Sequence, residues 1–182
     1  MRIGLISDTH IPLDVEELPP QLKKVFEGVD LIMHCGDIYS PSVLDELEKI
    51  APVLAARGDD DLPSMKDERV KDKYTLTYEG LSLLVTHVFP YRELYTFLYC
   101  SRPSWPSPTQ GLEKIIEEII RKEDLPDILV FADTHQSFLY QDQRVLLVNP
   151  GSATMPDYKP VPGTVGILSI SDGKAEANIV QL

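Results

Sequence analysis

Apolar residues gather in short runs along this chain, and run after run stops at a side chain able to do chemistry. Residues 2–7 lead into Asp8-Thr9-His10, 31–34 into Cys35-Gly36-Asp37, and 53–56 into Arg57-Gly58-Asp59-Asp60-Asp61. Residues 81–86 deliver His87, and 128–131 deliver Ala132-Asp133-Thr134-His135. Runs this short, bounded by turn formers, predict buried strands. Helical patterns at about 19–28 and 41–50 separate the first three. The second opens on Pro41-Ser42, where a proline is tolerated. The resulting βαβαβ order predicts parallel strands with right-handed crossovers. Strands at 74–78 and 81–86 form a hairpin turning at Glu79-Gly80. Leu112, Ile115, Ile116, Ile119 and Ile120 repeat at helical spacing over 112–122, a core-packing stripe. Segments 138–141, 144–148, 164–170 and 175–181 read as short strands, so an antiparallel second half is expected to build a second sheet against the first.

In open α/β sheets ligands collect outside the carboxyl ends of the strands, and the chemistry-bearing residues converge there. Alternation along the first strand would aim Asp8 and His10 the same way, offering a cation two ligands. All four histidines, His10, His34, His87 and His135, stand at such ends, which chance explains poorly. Backbone amides around Gly36 and Gly58 could also face an anion.

Composition narrows the function classes. With 182 residues, 43% of them hydrophobic, a single domain over 1–182 is expected. A net charge of -12, from 17 basic and 29 acidic residues, argues against nonspecific nucleic-acid binding. It still allows a nucleotide held through metal ions. Cys35 and Cys100 do not make a disulfide scaffold, and Cys35 reads as a buried thiol without chemistry. No signal peptide and no run of transmembrane length are evident, so a cytoplasmic protein without membrane contact is expected. The Pro- and aromatic-rich insertion at about 89–111 reads as a cap over the site or a subunit contact in a homo-oligomer. Its rings either pack or offer a nucleobase a platform.

Asp8-x-His10, Gly36-Asp37, Gly58-Asp59-x-Asp61, His87, Asp133-Thr134-His135 and Asn149-Pro150-Gly151-Ser152, in this order, resemble the calcineurin-like metallophosphoesterases, and among them the small YfcE-type phosphodiesterases. The resemblance spans residues 1–170 or so. It implies an α/β fold of the metallo-dependent phosphatase type, a four-layer αββα sandwich with a two-metal site. It also implies roles: Asp8, His10 and His135 on the first metal, Asp37 bridging both, and Asp59, His87 and Asp133 on the second. A pair of metals can activate water for attack on a phosphate ester.

This chain departs from the family pattern at the second metal. Family members usually have Asn in place of Asp59, Gly-His in place of Ala132-Asp133, and His or Cys in place of Asp60; here Val88-Phe89 follows His87. A carboxylate-rich site favours hard ions, with Mn foremost and Ni, Mg, Ca, Fe or Zn as alternatives. Four carboxylates offset two divalent charges, so weaker turnover is expected. Asp60 could protonate a leaving group only with a pKa far above about 3.9, which favours aryl esters. Arg57 either contacts substrate phosphate or pairs with Asp60 or Asp61. His34 either orients a ligand or is structural, and residues 149–152 are either a site loop or an ordinary turn. A phosphodiesterase is the main reading. The alternative is a scaffold for protein–protein interaction, resembling the retromer subunit of this fold in Arg57-Gly58-Asp59 and His10-Ile11-Pro12.

Overall fold

The computed structural model describes residues 1–91 and 109–182. The insertion expected at 89–111 lies outside the described residues over 92–108. Two sheets face each other. In the first the order is β11-β10-β1-β2-β3-β4, with β1 (Arg2–Ile6), β2 (Leu31–His34), β3 (Val53–Ala56), β4 (Val70–Lys71), β10 (Thr164–Ser171) and β11 (Lys174–Gln181). In the second it is β5-β6-β7-β9-β8, with β5 (Lys73–Tyr78), β6 (Leu81–Thr86), β7 (Ile128–Val130), β8 (Ser137–Gln141) and β9 (Leu146–Pro150).

Alternation along the strands builds the layers. Ile3, Leu5, Leu31 and Met33 point from the first sheet into the space between sheets, where they meet Leu83, Val85, Val130 and Val148 of the second. Ile6 and Ile32, on the opposite parity, pack under α1 (Leu22–Val25) and α2 (Pro41–Glu48) through Leu22, Phe26, Leu44 and Leu47. On the outer face of the second sheet, Ile116 and Ile119 of α3 (Thr109–Lys122) cover Leu129, Phe131 and Leu147. The layers thus run αββα, as expected.

Three details differ from the sequence reading. The helix expected at 19–28 is a single α-turn, because Pro19-Pro20 blocks it upstream and a three-residue turn bond, Val29 to Phe26, replaces helical bonding downstream. The second half of the chain is not one antiparallel sheet: β6, β7 and β9 pair in parallel. The last two strands leave that half, with β10 pairing antiparallel to β1 and β11 to β10. Apolar alternation marks which face of a strand is buried but not which neighbour it pairs with. Among the described residues no helix is long and apolar enough to cross a membrane.

Candidate metal centre

The sheets bring seven of the expected residues to one rim. Asp8, His10, Asp37 and Asp59 follow strands of the first sheet, and His87, Asp133 and His135 follow strands of the second. Their donor atoms form three overlapping groups: Asp8 with His10 and His135, Asp8 with Asp37 and His87, and Asp59 with His87 and Asp133. Within each group all ligand atoms lie within 4.8 Å of one another.

Strand alternation is not what aims Asp8 and His10. β1 ends at Ile6, and both residues sit in a loop with φ of 50°. Asp37, Asp133 and His135 are left-handed as well, at 57°, 73° and 58°. Non-glycine residues rarely adopt this region, and its concentration here shows loops bent to converge their side chains. Backbone bonds brace the bend: Asp8 N–H donates to Gly36 O at 3.0 Å, and Thr9 N–H to Asp37 O at 3.0 Å. Two glycines are sterically required. A Cβ on Gly36 would come within 2.4 Å of the His87 ring, and one on Gly58 within 2.0 Å of Asp37 Oδ1.

Each histidine of the rim presents the same nitrogen. His87 Nδ1 donates to Cys35 O at 2.7 Å and His135 Nδ1 to Met155 O at 2.8 Å, while His10 Nδ1 lies 3.1 Å from Asp14 Oδ2. Every Nε2 then faces carboxylates. His10 Nε2 is 3.5 Å from Asp37 Oδ2, His135 Nε2 is 3.7 Å from Asp8 Oδ1, and His87 Nε2 is 3.0 Å from Asp59 Oδ1 and 3.5 Å from Asp37 Oδ1. An imidazole lone pair aimed at carboxylates is unfavourable unless a proton or a cation lies between them. Both oxygens of Asp8 are fully buried without a hydrogen-bond partner, which costs free energy unless a cation is ligated. The donor set fits a metal ion.

Protonation follows from the same geometry. Burial pushes the Asp8 carboxyl up to about 7, against the pull of His87. Burial also works against charging His87, but the Asp37 and Asp59 carboxylates overrule it and raise His87 to about 11. His135 is lowered by burial.

The remaining sequence-selected residues fall around this rim. The Arg57 guanidinium donates to the carbonyls of Leu62 and Met65 at 3.1 and 3.2 Å, so it braces the 62–65 loop and pairs with neither Asp60 nor Asp61. The Asp60 carboxylate accepts from the Tyr39 hydroxyl at 3.3 Å, and its backbone N–H reaches Asp37 Oδ1 at 3.2 Å. His34 is buried and its pKa is lowered by that burial to about 3. Its Nδ1 accepts from Gly36 N–H, and its Nε2 lies 3.1 Å from Thr9 Oγ1, so it ties two ligand loops together. Cys35 is buried, and burial raises its thiol. Residues 149–152 form a buttress: Asn149 Nδ2 donates to Ala132 O and Thr134 Oγ1, and Ser152 Oγ donates to Asp8 O at 2.7 Å.

The sequence reading placed Asp61 in the motif without a role of its own, and missed Tyr158. Asp61 is buried and accepts three backbone N–H groups, from Ile38 and Tyr39 through Oδ1 and from Gly58 through Oδ2, each at 2.8 Å. It clamps the Asp37 and Asp59 loops together. Its signal was the run of three Asp residues, too many for one small ligand group. Tyr158 stacks on His135, a contact that no spacing along the chain announces.

The calcineurin-like phosphoesterase superfamily domain matches residues 1–173. The chain belongs to that superfamily. It is 31% identical over 181 residues to a protein of Methanothermobacter thermautotrophicus named probable metallophosphoesterase, covering 100% of this chain and 92% of the relative. It is 26% identical to a phosphodiesterase of Methanocaldococcus jannaschii over 184 residues, with 92% of each chain covered. In fold it is similar to Vps29 of Entamoeba histolytica, solved in complex with zinc, with a TM-score of 0.64, 18% identity and coverage of 100% and 99%. Superfamily membership makes this a phosphoesterase fold of a metal-dependent family, and three groups of candidate ligands lie at its rim.

Proposed function

We propose that this chain is a metal-dependent phosphodiesterase, a single metallophosphoesterase domain whose rim holds two divalent cations. The observation that carries the reading is the disposition of Asp37, with one oxygen toward His10 and the other toward His87. A carboxylate so placed would bridge two ions, with Asp8, His10 and His135 holding one and Asp59, His87 and Asp133 the other. When bound, the ions supply Lewis-acid polarisation of phosphoryl oxygens and make water acidic enough to act as a nucleophile near neutral pH.

The chain's own residues set the conditions for that chemistry. The Nδ1 contacts of His87 and His135 fix the tautomer and leave Nε2 to bind. Burial of Asp8 excludes competing water from its oxygens. The carboxylate-rich second group favours hard ions, Mn foremost. The Asp60 carboxylate is turned to Tyr39, so esters with good leaving groups are the better substrates. Nucleotide-like diesters suit an acidic protein that recognises phosphate through cations.

The likeness in fold to zinc-bound Vps29 supports a second reading, in which the ligands are kept for a binding scaffold. Hydrolysis of bis-p-nitrophenyl phosphate by chelator-stripped protein, titrated with Mn, Ni, Mg and Ca, separates the two. Metal-dependent turnover is expected, and Asp37→Asn should lower it on the order of 10²–10³-fold. Stoichiometric metal binding without turnover for any ion would overturn the enzyme reading in favour of the scaffold.

A further inference from the structure

Four rings stand in a row across the first ligand group. The Tyr39 centroid lies 4.7 Å from that of His10, His10 lies 4.9 Å from His135, and His135 lies 4.2 Å from Tyr158. The two imidazoles belong to the rim, and a tyrosine closes the row at each end. The tyrosines are held differently. Tyr39 is tilted by 54° to its imidazole, and its hydroxyl is tied to Asp60. Tyr158 lies nearly flat on His135, at 20°, with 45% of its surface exposed.

The chain goes to some length to put that ring there. Asp157 and Tyr158 are consecutive left-handed residues, with φ of 52° and 59°, a conformation that concentrates where a side chain must be aimed. Asp157 Oδ1 accepts from Gln136 Nε2 at 3.1 Å, next to His135, and Tyr158 N–H donates to Met155 O at 3.0 Å. Met155 O is also the acceptor that orients His135. One carbonyl thus sets both the ligand imidazole and the ring on top of it.

Charge leaves recognition to such contacts. The nearby Arg57 is engaged with carbonyls, so beyond the cations that would meet the phosphate no side-chain charge of that loop is left to grip the rest of the ester. We propose that Tyr158 is a stacking platform for a planar ring on the substrate, so that aryl- or nucleobase-bearing phosphate esters are the class this site takes. Beyond the stacking itself, the proposal rests on the phosphodiesterase reading only for the word substrate.

Calorimetry on the Mn-loaded protein tests it with two matched pairs: phenyl phosphate against methyl phosphate, and adenosine 5′-monophosphate against ribose 5-phosphate. Within each pair the ring-bearing compound should bind about tenfold more tightly, the scale of stacking a base on an aromatic side chain. Tyr158→Leu and Tyr158→Ala should abolish that ratio, and Tyr158→Phe should keep it. In turnover of bis-p-nitrophenyl phosphate the leucine variant should raise KM more than it lowers kcat. No ring preference in the wild type, or a preference surviving in Tyr158→Leu, overturns the platform. Ring preference without hydrolysis by any metal form supports the platform and removes the phosphodiesterase reading. Hydrolysis without ring preference does the reverse.

Discussion

Asp8 and Asp59 offer the same carboxylate from opposite settings. Asp8 is fully buried, its backbone carbonyl held by Ser152 and Thr154, its oxygens without hydrogen-bond partners. The Asp59 side chain is 64% exposed and meets the rim through His87. The first candidate ligand group is thus a buried, braced pocket, whereas the second is half open and rich in carboxylates. Burial strengthens electrostatics and restricts motion, so the first group should grip its ion and the second should exchange it. A chain can keep a metal for its fold at one end of a rim and tune reactivity at the other.

The largest effect should come from breaking the clamp between the two ends. Asp61→Ala would orphan three N–H groups, two of them buried, and release both the Asp37 and Asp59 loops, costing about 3 kcal/mol. Chemical denaturation with and without Mn should show that loss, and metal affinity should fall at both ends. A variant with unchanged affinity would show the loops are held elsewhere. Ser152→Ala comes next and should act on the first end alone. It removes the support of Asp8 O and the acceptor of Met155 N–H, costing about 1–3 kcal/mol. Equal weakening of both ions in calorimetry would break the asymmetry.

A pH series gives a smaller, graded effect. Asp8 is raised from 3.8 to about 7 and His87 from 6.5 to about 11. The folded metal-free protein therefore holds protons that the unfolded chain has released. Asp8's contribution is complete below 3.8 and lost as pH rises through about 7; that of His87 is complete below 6.5 and lost toward about 11. Asp37 and Asp59 are lowered, His87 being their main stabilising partner against burial, so their contribution is lost in acid. Stripped protein should melt at falling temperature as pH rises from 3.8 toward about 11, the window the two shifts span. Metal, which takes the place of the protons, should flatten that slope. Parallel melting curves would contradict the assignment. The smallest effect is expected for Asp59→Asn, which restores the family's usual amide at an exposed position. Removing one negative charge should raise kcat severalfold with little change in melting temperature, measured with bis-p-nitrophenyl phosphate under saturating Mn. A drop in kcat would mean the carboxylate is needed as it stands.

The strands and the rim residues that follow them were legible because apolar runs ending in Asp or His are written consecutively in the chain. The bending that makes them converge was not. Asp8 and His10 meet their partners through left-handed loops, and nothing in Asp-Thr-His distinguishes that from a continuing strand. The αββα layering was implied by the family resemblance and two facing sheets by the order of elements, but the return of β10 to the edge of β1 depends on tertiary pairing. Arg57 looked available because the carbonyls it binds belong to a loop without periodicity. Asp61 and Tyr158 act through contacts between segments, and only folding brings those contacts into being.

The rim draws its candidate ligands from two sheets, four residues from one and three from the other. It therefore exists only once the sheets have docked. An ion has nothing complete to bind while the chain is still assembling, so its stabilisation falls on the native side of the folding barrier. Interactions formed after the transition state slow unfolding and leave the folding rate largely unchanged. The cation would act as a latch on a door already closed, extending the lifetime of the folded protein without hastening its birth.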